Sequence, residues 1–284
     1  MGGDGIMKKK MLSVCIFIVV CVLMSGNLYS QVERTEQYSK NVNTLGLSLG
    51  VNDFHIKDEY LSPNIFSGPM FSSKILFQHK TEETRHRVSL YFSAGQINST
   101  DQPRDVKQYV GSIVYSYLHS IYSLKVGENP LELFIGGGIS SYMVHTNFKT
   151  TDINYDYTFF DQSWYWSHEA DIYFRAEYSF GDRYSIAGEI GSPLAGIVSR
   201  PENGHYFNAN NAKIINNFMN ASIGGKPSFL WDNPVLFSEI EYRQRISLQL
   251  DLIFDYSFKF TSSNEPLPLR MYTNNAQAGI LWQF

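Results

Sequence analysis

Between Leu248 and Phe260 the side chains alternate without a break. Leu248, Leu250, Leu252, Phe254, Tyr256, Phe258 and Phe260 fall on one side of an extended chain, and Gln249, Asp251, Ile253, Asp255, Ser257 and Lys259 on the other. On a helix this order would scatter charge over every side, whereas on a strand it makes one apolar and one polar face. The run exceeds the five or six residues usual in soluble sheets. It covers the roughly 9–11 tilted residues with which a strand crosses a bilayer.

The same pattern recurs. Val88, Leu90, Phe92 and Ala94 oppose Arg87, Ser89, Tyr91 and Ser93. Trp166, His168, Ala170, Ile172, Phe174, Ala176 and Tyr178 oppose Ser167, Glu169, Asp171, Tyr173, Arg175 and Glu177, while Tyr184, Ile186, Gly188 and Ile190 oppose Ser185, Ala187 and Glu189. Charges on the inner face of several strands do not suit a soluble sandwich, whose interior is apolar. They suit a closed all-β barrel turned inside out, with lipid outside and a wet or hydrogen-bonded lumen. Glu169, Asp171, Arg175, Glu177, Glu189, Glu241, Arg243, Asp251, Asp255 and Lys259 are the charged side chains expected to point inward. Their mixed signs allow pairing across a narrow barrel, whose interior ten strands would largely fill with side chains.

Ten strands are expected, near 44–52, 69–79, 86–97, 109–123, 131–146, 165–179, 183–196, 235–244, 248–260 and 270–284. The links between them alternate. Short ones fall at 80–85, 124–130, 180–183 and 245–247, and longer ones at 53–70, 98–108, 147–164, 197–234 and 261–269. Short turns on one side and long loops on the other are the habit of up-and-down transmembrane barrels. Residues 213–247 admit a second reading, with a strand over 214–223, an inward turn from Gly224, and one strand over 241–261. The breaker Asp232-Asn233-Pro234 favours the first reading; either gives ten strands. The 19 Tyr and 20 Phe are more than a packed soluble core needs, and amphipathic rings prefer membrane interfaces.

Lys8, Lys9 and Lys10 precede an apolar run from Met11 to Met24, followed by Ser25, Gly26 and Asn27. This is the layout of a secretory signal peptide over residues 1–30. Its apolar part, about 14 residues, is short of the roughly 20 that span a bilayer as a helix. A lead-in over 31–43 and a barrel over 44–284 would follow. Both cysteines, Cys15 and Cys21, lie in the leader, which leaves no disulfide, thiol nucleophile or thiolate metal site afterwards. Val14 and Val20 precede them, where a lipid-anchored Cys needs a small residue. Without residues 1–30 the chain has 20 Lys+Arg and 26 Asp+Glu, about −6, and no basic cluster, which argues against a nucleic-acid partner.

Ala276, Ala278, Ile280, Trp282 and Phe284 alternate to the final residue. This resembles the terminal strand of outer-membrane barrels, where a last aromatic residue is read by the barrel-assembly machinery; Trp282 and Phe284 are the residues that match. The resemblance implies a cell outer membrane as location, with its lipid and that machinery as partners. The stretch Tyr242-Arg243-Gln244-Arg245-Ile246-Ser247-Leu248 and the long Asn-rich loops resemble uncharacterised barrel families of Bacteroidota-type Gram-negative bacteria.

Chemistry is thinly marked. No Gly-x-Ser-x-Gly, phosphate loop or His-Glu-x-x-His is present, and no cofactor is expected. The omptin proteases, also ten-stranded, use acidic pairs and an Asp-His pair at the outer rim. Asp152, Asp156 and Asp161, with His145 and His168 at the roots of their loop, are the nearest counterparts here, without the family's spacing. A barrel phospholipase would need Ser, His and Asn on neighbouring strands; His119-Ser120 and Ser167-His168 put each pair on opposite faces. Gly136-Gly137-Gly138 lies mid-strand, where glycines let a wall bend or admit a large neighbour. His79 and His86 flank a turn beside Glu82, Glu83, Arg85 and Arg87, which reads as a solvated turn rather than a zinc site. Tyr155, Tyr157, Phe159, Phe160 and Trp164 crowd the third long loop, as either a recognition surface or an aromatic girdle. The expectation is a non-enzymatic barrel whose loops bind a surface ligand or serve a structural role. A narrow channel for small or lipid-like solutes and a rim hydrolase, omptin-like protease or lipase, are the alternatives.

Overall fold

The computed structural model describes residues 41–59, 62–99, 106–148, 162–200, 225–264 and 267–284. The expected leader and most of the expected lead-in fall outside them. Every regular element among the described residues is a strand: β1 (Val42–Asp58), β2 (Ile65–Lys80), β3 (Thr84–Ile97), β4 (Val106–Val126), β5 (Asn129–Phe148), β6 (Gln162–Phe180), β7 (Tyr184–Ser199), β8 (Lys226–Phe229), β9 (Val235–Arg245), β10 (Leu250–Ser263) and β11 (Leu269–Gln283). Neighbours in sequence pair antiparallel, except that β8 and β9 each pair with β7; β1 pairs with β11, and β6 pairs with β7, so the sheet closes on itself. Closure pairs the long strands on both sides and leaves only short β8 paired on one. The all-β, ten-stranded up-and-down barrel expected from the alternation is the observed fold.

Register partners followed round the wall from Gln108 through Gly95, Met70, Asn52, Asn275, Ser257, Glu239, Glu189, Arg175 and Phe134 return to β4 at Ser120, a stagger of twelve residues. With ten strands this stagger tilts each by roughly 40° and leaves an interior that side chains can fill.

Two features depart from the expected strands. The eighth place in the wall is held by two collinear pieces. β8 pairs with residues 195–198 of β7 and β9 with residues 184–191 of the same strand. Asp232-Asn233-Pro234 does break the strand, but the chain had already joined the wall at Lys226 and resumes the same path at Val235. The alternative strand over 214–223 lies outside the described residues. Secondly, the strands run further toward the long-loop end than expected. β1 continues to Asp58 and β2 starts at Ile65, so the expected link 53–70 shrinks to a few residues.

The reason is a reversal of polarity along the strands. Leu45, Leu47, Leu49 and Val51 face outward and are exposed, whereas inward Thr44, Ser48 and Asn52 are buried. Beyond Asn52 the sides exchange character: Phe54 and Ile56 are buried inward, and Asp53, His55 and Lys57 face out. β11 mirrors this, with buried Leu269 and Met271 at the loop end and buried Asn275 and Gln277 below them. The turn-end two thirds of the wall is therefore apolar outside and largely polar inside, as in membrane barrels. Two small buried apolar clusters, one of Leu76, Ile253 and Leu281 and one of Leu118, Phe134 and Tyr173, are set into the lumen there. The loop-end third is apolar inside, as in a soluble barrel.

One close approach fixes a pair of glycines. A Cβ on Gly191 would lie 2.6 Å from the Tyr173 ring, and one on Gly138 would lie 3.0 Å from its other edge. These two glycines make room for a buried ring that accompanies Asp171 on the inner face of β6. Gly191→Val is expected to cost about 1–3 kcal/mol by overpacking, read as a lower urea midpoint of the refolded barrel. An unchanged midpoint would mean that the ring swings aside freely.

Candidate functional site

The lumen holds three layers. At the loop end, Phe54, Ile56, Phe66, Met70, Ile97, Val106, Val110, Tyr142, Val144, Tyr165, Leu269 and Met271 meet in one buried apolar cluster. Its residues come from seven strands of the wall, so side chains bridge the lumen from side to side. Above it Arg200 binds Asp58 (2.6 Å) and the carbonyl of Leu267, and Ser163 Oγ donates to the same carboxylate (2.9 Å). Thr146 and Gln108 close another part of this rim (2.8 Å). The mouth is thus tied across β1, β6 and the segments after β7 and β10.

Toward the turn end lies an ionic layer centred on Arg175. Its guanidinium donates to Glu177 (2.8 Å), Glu189 (3.2 Å) and Glu241 (2.9 Å). Arg87 shares Glu189, and Arg243 shares Glu241 at 2.7 Å while reaching Gln78 at 3.0 Å. Arg85 pairs with Glu132 (3.0 Å) and stands 4.6 Å above the Phe134 ring. Lys74 binds Glu239 (2.8 Å), with Asp255 at 3.9 Å. Asp251 accepts from Gln283 Nε2 at 2.6 Å. In a low-dielectric interior such charges are tolerable only when paired and hydrogen-bonded. The network crosses the lower lumen, joining β2 and β3 to β7 and β9.

Between the two layers is a chamber of about 140 Å³, walled by hydroxyls, three tyrosines and both signs of charge. Ser72 and Asn275 (2.7 Å), joined by Gln277, continue its polar ring.

Of the ten charged residues singled out by alternation, Arg175, Glu177, Glu189, Glu241 and Arg243 meet in the ionic layer, and Asp251 and Asp255 flank it. Glu169, Asp171 and Lys259 line the chamber instead. Sequence reading leaves Lys74, Glu239, Arg85 and Arg87 out of the inward charges, although alternation puts Arg87 on the polar face of its strand. Arg85 and Arg87 were assigned to a solvated turn, yet both are buried, at 1% and 6% exposure. Their signal was available: Arg85 and Arg87 keep the parity of Ser89, Tyr91 and Ser93.

Tyr155, Tyr157, Phe159, Phe160 and the carboxylates Asp152, Asp156 and Asp161 lie outside the described residues. Trp164 belongs to the wall, not to a loop: it is on β6 opposite His145. His145 and His168 alternate with inward Thr146 and Ser167 and so face outward, away from the lumen. The structure does not bring them together with Glu169 or Asp171. Trp282 and Phe284 sit at the turn end, exposed, with ring centroids 5.1 Å apart. Nearby, Phe180, Tyr184, Tyr242 and Phe254 form a chain of ring contacts on the outer surface.

No protein-family model matches the chain, and no curated protein does. Solved structures similar to it include the outer membrane protease OmpT from Escherichia coli, with 10% identity, 88% of this chain and 100% of that one covered, and a TM-score of 0.47. The translocator domain of the autotransporter NalP from Neisseria meningitidis is 9% identical over 88% and 90%, with a TM-score of 0.39. Neisserial surface protein A is 10% identical over 84% and 97%, with a TM-score of 0.36. Their differing roles assign none to this chain.

Proposed function

We propose that this chain is an integral outer-membrane barrel, sealed along its axis, that acts through its loop-end surface and not as an open pore. The observation that carries this reading is the doubly filled lumen, with the apolar cluster of Phe54 and Met70 above and the Arg175 network below. Membrane residence is supported by the outward apolar belt, in which Leu47, Ile139, Ile190, Ile240 and Ile280 are all exposed. An exposed apolar surface of that extent is stable against lipid and not against water. The ring cluster at the turn end suits one membrane interface. In the same reading residues 1–30 are an export leader, and the edge of β11 carrying Trp282 and Phe284 is what the barrel-assembly machinery engages. A rim hydrolase has less support, because His145 and His168 face outward and the lumen acids of the ionic layer are all occupied by cations.

Planar-bilayer recording tests the sealed wall. The refolded chain, verified as folded by its altered gel mobility before boiling, is expected to give no stable single-channel current. A steady ohmic current would sink the reading.

A further inference from the structure

The chamber is placed where the wall itself is irregular. β7 loses its backbone pairing on one side at Ser192, Pro193 and Leu194, because its pairing with β9 ends at Gly191 and its pairing with β8 begins at Ala195; the Ser192 hydroxyl still donates across to the Val235 carbonyl (2.8 Å). On its other side the register with β6 shifts at the same height, between Ala170 and Asp171, and Leu194 has no partner on β6 either. Opposite this gap residues 230–234 leave the wall as a small closed turn. The amides of Asp232 and Asn233 both donate to the Phe229 carbonyl (2.9 and 3.1 Å), and Phe229 N donates to Asp232 Oδ2 (3.2 Å). The turn carries Trp231, 77% exposed and stacked on Phe229. A narrow cleft of about 10 Å³ opens beneath it, bordered by Ala195, Gly196 and Phe229, and it shares Glu169 and Pro193 with the chamber.

The chamber is also electrically incomplete. Glu169 and Asp171 are each 8% exposed, and among the described residues neither forms an ion pair. Asp171 accepts a hydrogen bond from Tyr173 (3.0 Å), and Glu169 a long one from Ser140 (3.5 Å). The third charge, Lys259, attracts Glu169 while it stands over the Tyr142 ring at 3.6 Å. Carboxylates outnumber cations in this set by two to one, although every other acid around the chamber has a cation in contact. Two buried carboxylates facing one cation call for a second, and aromatic walls suit an ammonium group. A dry cavity of about 150 Å³ accommodates benzene, so this volume fits a short alkylamine.

We propose that the chamber binds a small amphipathic amine, its ammonium on Glu169 and Asp171, and that the amine enters sideways through the gap between β7 and the turn at residues 230–234. Apolar Leu194, Phe229 and Trp231 face the membrane at the outside of this gap, and the polar chamber lies inside it. The membrane side of the claim rests on the reading above, but amine binding in detergent is measured without a bilayer and succeeds or fails separately.

The test uses the full refolded chain in micelles, titrated by saturation-transfer NMR with n-hexylamine, n-hexanol and n-hexanoate. Hexylamine is expected to bind about tenfold more tightly than the other two, the size of a charge-assisted contact. Glu169→Gln with Asp171→Asn is expected to abolish that preference and keep the heat-modifiable gel shift. Equal affinity for the three probes in the unaltered chain, or an undiminished preference in the double variant, overturns the site. Deleting residues 230–234 leaves Val235 and Leu236 opposite Ser192, Pro193 and Leu194, which closes the gap with Leu194 as a single-residue bulge and keeps Phe229 outward and Phe237 inward. This variant is expected to slow hexylamine exchange at least about tenfold. If exchange is as fast as in the unaltered chain, the sideways entry is wrong and the ligand comes through the rim.

Discussion

Arg175→Ala is expected to destabilise the barrel by about 3–5 kcal/mol, the usual consequence of removing one partner from a buried ionic group. Arg175 is almost wholly buried and serves three carboxylates on β6, β7 and β9. Its loss leaves Glu177 with Arg85 and the more distant Lys80, Glu189 with Arg87, and Glu241 with Arg243. Each acid keeps one cation or more, yet all three carboxylates remain gathered round the vacated space. The readout is the urea midpoint of the refolded protein, followed by gel mobility and tyrosine fluorescence. Adding Glu189→Gln and Glu241→Gln to the alanine variant is expected to recover part of the loss, because it relieves the repulsion among the carboxylates gathered there. If the triple variant is as unstable as the single one, the deficit is packing, and the electrostatic account of the ionic layer fails.

Phe54→Ala is expected to cost a comparable 3–5 kcal/mol, roughly, through the cavity it leaves. The side chain is fully buried at the centre of the loop-end cluster. Ile139→Ala, at 66% exposure on the outer face, is the matched control. In micelles it is expected to change stability by less than about 1 kcal/mol, since detergent replaces the lost contacts. The contrast separates two kinds of apolar residue in one wall. Equal effects at both positions would mean that the loop-end cluster is not a packed core.

Much of the wall was legible from period two alone, because a strand half in lipid and half in a polar lumen writes its orientation into every second residue. Leu248 to Phe260 and Val88 to Ala94 show it plainly, and Gly136-Gly137-Gly138 was rightly read as a structural feature. The loop-end third was hidden by its own chemistry. At Asp53 a charge arrives on the outward side, which looks like the end of a strand when the outside is taken to be apolar throughout. The true signal was that Phe54 and Ile56 take over the inward side at the same point. The split at residues 230–234 was hidden for another reason: a turn that leaves the wall and returns to the same path has the local composition of any loop. Pairing among the lumen charges was beyond the sequence, since Arg87 and Glu189 lie 102 positions apart and meet only through the barrel's stagger.

The exchange of polarity along β1 and β11 also acts as a height gauge. A one-residue slip is already penalised in any two-faced strand, because it turns every side chain to the wrong side. A two-residue slip would ordinarily pass unnoticed, since faces are preserved. Here it would not. It would move Asp53 of β1 from Asn274 of β11 to Ala276 or Tyr272, pushing a carboxylate into the apolar belt or a leucine above it. The crossover points of these two strands, brought level by their pairing, define where β11 must stop along β1. A barrel built this way carries its vertical alignment in its own side chains, before any lipid surface is there to supply it.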